Sequence, residues 1–69
     1  MRYEVEPGLV LTTEHSTSSY GLPVLVDQEG LAHGPADGLA GSVVRSWASQ
    51  PERTAAECEA AGKFLSQLP

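Results

Sequence analysis

The sequence predicts an α+β fold, a small antiparallel sheet of three or four strands packed against two C-terminal helices. Three observations lead there. Around Gln28-Glu29-Gly30 the chain reads as a hairpin, with Leu22, Val24 and Val26 alternating with Pro23, Leu25 and Asp27 before it and Leu31-Ala32-His33 returning after it. Leu39, Val43, Val44 and Trp47 then recur at helical spacing. Gly34-Pro35-Ala36-Asp37-Gly38 punctuates the change, so all strands precede both helices.

The first two strands are expected over 2–6 and 9–14, separated by Pro7-Gly8. Tyr3 and Val5 define one face of the first, and Leu9, Leu11 and Thr13 one face of the second. Direct pairing raises a conflict. A two-residue loop sets Glu6 against Leu9 and Glu4 against Leu11, which places acids on the leucine face. A three-residue loop aligns the apolar faces but puts Pro7 where a type I turn tolerates it poorly. The strands are therefore expected without direct pairing, the second being free to pair with the third and the first lying at an edge.

His15 to Tyr20 reads as a loop of hydroxylated residues without apolar period or the glycine and lysine spacing of a phosphate loop. The third strand is expected over 22–27, with Pro23 marking an edge or the approach to regular pairing, and the fourth over 31–33.

The first helix is expected over 39–48, capped by Asp37 with Ser42 as a competing cap. Ala40 and Ala48 extend its apolar stripe. Pro51 centres the next break. Thr54-Ala55-Ala56-Glu57 is a capping-box pattern opening a second helix over 54–67, although Ser49-Gln50-Pro51-Glu52 carries the same pattern one turn earlier. Cys58, Ala61, Leu65 and Leu68 are expected to form its buried stripe with Phe64 beside it, Gly62 to permit a close approach, and Pro69 to lie beyond the helix.

The 69 residues make one domain, 1–69, without repeats or linkers, and so small a core makes a partner or a second copy expected. One cysteine cannot form an internal disulfide, and no long apolar run suggests a signal peptide or a membrane span, so a soluble cytoplasmic protein is expected.

The chemistry the sequence offers is sparse. His15, His33 and Cys58 sit in no short metal-ligand pair, so neither a metal nor another cofactor is expected. Cys58 on an apolar helix face is expected to be an inert core thiol, and exposed turn carboxylates seldom divide acid and base roles, so no enzyme is expected. Arg45, Arg53 and Lys63 form no dense basic helix, which argues against direct nucleic-acid binding. Trp47 reads as core from its spacing; exposed, it would be a contact anchor.

Charge is the remaining signal. The net charge is −5, and residues 1–31 hold −4 of it through Glu4, Glu6, Glu14, Asp27 and Glu29 against Arg2. Such a field repels phosphate backbones and attracts basic surfaces; solubility alone is the bland alternative. The function expected is a noncatalytic protein-interaction or inhibitory module that presents these five acids to a basic, for example nucleic-acid-binding, protein. A small structural homo-oligomer or accessory subunit is the alternative.

Overall fold

The computed structural model describes residues 1–68; Pro69, placed by the sequence beyond the second helix, lies outside the described residues. Four strands, β1 (Arg2–Glu6), β2 (Leu9–Thr12), β3 (Val24–Val26) and β4 (Ala32–His33), are followed by α1 (Gly38–Ala48) and α2 (Ala55–Leu65). The strands form one antiparallel sheet in the order β1-β2-β3-β4, and the helices pack on one face of it.

β1 and β2 do pair directly, and a bulge removes the conflict the sequence raises. Glu6 opposes Leu9, but the register shifts between Glu4 and Glu6, so Glu4 opposes Val10 and Tyr3 opposes Leu11. One extra residue in β1 thus restores apolar side chains to the helix face. The turn itself is Pro7-Gly8 with Gly8 at φ +83, the residue pair of a type II turn. Turns of that hand splay a hairpin, and the bulge takes up the mismatch.

The register lines up Tyr3, Leu11, Leu25 and His33 across all four strands on the helix face. Leu11 and Leu25 are fully buried there under Val44, Trp47 and Phe64. On β3 the inward face is therefore Pro23, Leu25 and Asp27; Val24 and Val26 face away. β3 starts only at Val24, because Pro23 brings no N–H to the ladder, and the Gln67 side-chain amide donates to the Pro23 carbonyl at 2.7 Å. On the opposite face Thr12 is only 2% exposed. Its hydroxyl accepts from the Glu14 amide at 2.9 Å, and the connection after β2 is tied to the β3–β4 turn where His15 Nε2 lies 3.2 Å from the Gly30 carbonyl oxygen.

Both helix starts have side-chain caps. Asp37 Oδ1 accepts from the amides of Leu39 and Ala40. Thr54 and Glu57 form the reciprocal capping box at 3.1 and 2.9 Å, which selects the later of the two candidate starts. Trp47 is core, 3% exposed, with its ring 5.8 Å from Tyr3 and the Arg53 guanidinium 4.9 Å from its centroid.

The helix stripes differ from the expected ones by about one residue. α1 buries Ala40, Gly41, Val44 and Trp47, while Leu39 is 81% exposed. α2 buries Ala60, Ala61 and Phe64, which leaves Cys58 exposed with Sγ near the Ala48 carbonyl rather than in the core. Gly62 makes no close approach, since a methyl group there would meet nothing. Gly41 does: a methyl would lie 3.0 Å from the Pro35 carbonyl oxygen.

Candidate functional site

The row of side chains beneath the helices is apolar until its last member. His33, on edge strand β4, carries the row to the start of α1. Two aspartates meet it there. Asp27 closes the hairpin turn by accepting the amides of Glu29 and Leu31 on Oδ1, at 2.9 and 3.0 Å. Its other oxygen, Oδ2, lies 2.8 Å from His33 Nε2. His33 Nδ1 in turn lies 3.2 Å from Asp37 Oδ2, while Asp37 Oδ1 caps α1. Turn, strand and helix are thereby joined through one imidazole.

The arrangement favours the charged form of that imidazole. A neutral ring donates from one nitrogen only, whereas the imidazolium donates from both, so two carboxylates are satisfied together only by the charged form. The bond to Asp27 above all, assisted by Asp37, holds His33 above its ordinary value against partial desolvation. His33 in turn lowers Asp27, helped by the Leu31 amide. Asp37 is lowered chiefly by the Ala40 and Leu39 amides and also by His33.

Beside this clasp is a cleft of about 240 Å³. Leu9, Leu25, Ala40 and Val43 make its apolar wall, exposed Leu39 its rim, and the clasp its polar side. A second cleft, about 220 Å³, lies between the N-terminus and α2, with Met1, Tyr3, Pro23 and Ala60 beside Glu59 and Lys63.

The acids singled out by the sequence occupy distinct places. Glu4 opposes Val10 and Glu6 opposes Leu9, neighbours on β2 that face opposite ways. Glu14 lies 3.9 Å from the N-terminal ammonium. Asp27 is held in the clasp, and Glu29 sits in the turn that Asp27 closes. The β1–β2 and β3–β4 turns share one end of the sheet, where Gly8 faces the Gln28 side chain, so Glu6, Asp27 and Glu29 belong to that end and Glu14 to the other.

Asp37 and His33 were legible only separately, as a helix cap and a hairpin end. Their four-residue spacing and the shared face of Asp27 and His33 across the turn are the signals that join them. The three groups form a chain, not a ligand set, because His33 uses a different nitrogen on each acid; among the described residues no cluster of three such side chains converges for a metal. His15 and Cys58 take no part in it: they contact Thr17 with Gly30, and Ala48, respectively. Among the described residues no helix is long and apolar enough to cross a membrane. Compared with known proteins, the chain matches no family, no curated protein and no solved structure.

Proposed function

We propose that the chain is a noncatalytic protein-interaction or inhibitory module that presents an acidic surface to a basic protein partner. The observation that carries this reading is that Glu4, Glu6 and Glu29 are exposed and, among the described residues, enter no ion pair within 4.0 Å. Unpaired carboxylates on a molecule of net charge −5 give a negative field at no cost to internal bonding. Glu6 and Glu29 lie on neighbouring turns, so a cationic surface approaching that end of the sheet meets both. Glu14 and Asp27 add to the field with their charges already partly met by the N-terminus and His33.

Charge of this kind acts on encounter rate and on salt dependence more than on raw affinity. The test is capture of binding proteins with the wild type and with Glu4→Gln/Glu6→Gln/Glu29→Gln, at low and at high salt. Basic proteins held by the wild type, released by salt and lost with the triple variant, support the reading. Capture that ignores both salt and the substitutions refutes it, provided circular dichroism shows the variant folded.

A further inference from the structure

We propose that the cleft between the end of β3 and the start of α1 receives one aliphatic side chain of a partner polypeptide, next to a lysine or arginine of that partner. The proposal rests on the reading of the protein as a binder of basic proteins and locates the contact. Size selects the class of occupant: at about 240 Å³ the cleft is smaller than the roughly 300–1,000 Å³ of ordinary small-molecule sites, so it suits a side chain better than a whole ligand.

Leu39 supplies the second argument. It is 81% exposed and contributes nothing to the core, yet it stands one helical turn from half-buried Val43, and both border the cleft. Together with Leu9 they line the apolar part of the cleft, which an aliphatic group would fill.

Charge then selects the neighbour. The polar side of the cleft is Asp27, His33 and Asp37, which sums to −1 with the imidazole charged and −2 with it neutral. The Asp37 side chain is 42% exposed, open to a cation from outside. A lysine or arginine flanking the buried group meets this carboxylate, and an acidic flank is repelled by it.

The experiment uses blocked tripeptides, Lys-Leu-Lys, Lys-Ala-Lys and Glu-Leu-Glu, titrated at low salt into the isotopically labelled full chain and followed by amide NMR. Lys-Leu-Lys is expected to shift the amides of Leu9, Leu25, His33, Leu39 and Val43 and to bind about five- to tenfold more tightly than Lys-Ala-Lys, because leucine buries more apolar area. Glu-Leu-Glu is expected to bind more weakly than either. In Leu39→Ser the advantage of leucine over alanine disappears while the thermal transition stays in place.

Equal binding of the leucine and alanine peptides, with lysine still preferred over glutamate, overturns the cleft and leaves the acidic-surface reading standing. Equal binding of Lys-Leu-Lys and Glu-Leu-Glu overturns the charge requirement and counts against that reading too. Shifts confined to other residues, or none at millimolar peptide, overturn the proposal. Concentration-dependent shifts at the cleft without peptide overturn it in favour of a second copy as the occupant.

Discussion

Replacing Gly8 and Gly62 by alanine, one at a time, should move stability in opposite directions. Gly8 sits at φ +83 in the β1–β2 turn, where an L side chain costs about 1–2 kcal/mol. A methyl there also collides with the exposed Gln28 side chain, down to its Cγ at 2.6 Å, so Gln28 must change rotamer and the collision adds to the backbone cost. Gly62 lies inside α2 with nothing near its missing methyl, so alanine should stabilise by up to about 1 kcal/mol through helix preference. The two variants should differ by about 1–3 kcal/mol, a large part of the roughly 3–10 kcal/mol expected for a chain of this length. At about 4–8 °C per kcal/mol, the Gly8 variant should melt roughly 5–15 °C lower. The assay is urea unfolding followed by fluorescence of Trp47, the sole tryptophan, which is buried against Tyr3. A Gly8→Ala variant as stable as the wild type would refute the assigned turn and bulge. A destabilised Gly62→Ala would refute the open surroundings of α2 at that position.

The clasp makes stability depend on pH with a defined sign. His33 is raised from 6.5, so its contribution is complete below that value and fades as pH climbs through the folded value. Asp27 and Asp37 are lowered from 3.8, so theirs is complete above that value and fades as pH falls through the folded values. Melting temperature should therefore peak between about pH 4 and 6.5, and His33→Asn should flatten the alkaline limb; an unchanged limb would show that the imidazole carries no linkage. Phe64→Ala, at a fully buried site, should cost about 3–5 kcal/mol and leave little folded protein by circular dichroism, whereas a loss below 1 kcal/mol would contradict its place in the core. Cys58 is exposed, so a thiol reagent should modify it without denaturant; reaction only after unfolding would return it to the core.

The fold was legible because its signals are local. Alternation about Gln28-Glu29-Gly30, helical spacing from Leu39 and the capping box at Thr54 each require only a few neighbouring residues. The inward side of each helix was less legible, for a physical reason. Leu39 beside Ala40, and Leu65 beside Phe64, offer two apolar stripes of similar strength, and the packing selects the stripes containing Ala40, Gly41, Ala60 and Ala61. Small residues let the helix backbone come close, as the Pro35 carbonyl does at Gly41, and hydrophobicity alone favours the larger neighbour. The bulge in β1 was illegible for the opposite reason: it shifts every partner after it, yet the side-chain pattern before and after it looks regular.

The same details constrain how the protein would meet the proposed partner. Both sheet edges are poor templates for strand addition. β1 is broken by its bulge, carries Arg2, Glu4 and Glu6, and ends at Pro7, while β4 is two residues long and stops before Gly34-Pro35. His33 adds an inward-pointing polar group to the β4 edge, a feature that discourages edge-to-edge pairing, and Asp27 and Asp37 fix its position. Contact through backbone hydrogen bonds is thus disfavoured at both edges of the sheet. That leaves side-chain surfaces of two different kinds: the exposed Glu4 and Glu6 on β1 and Glu29 in the β3–β4 turn, which enter no ion pair among the described residues, and the apolar cleft that Leu39 leaves open beside the clasp. A basic partner that used only the first would bind with strong salt dependence and little shape preference. One that also placed an aliphatic group in the second would keep part of its affinity at high salt, so the salt slope of binding, compared between wild type and Leu39→Ser, separates the two contributions.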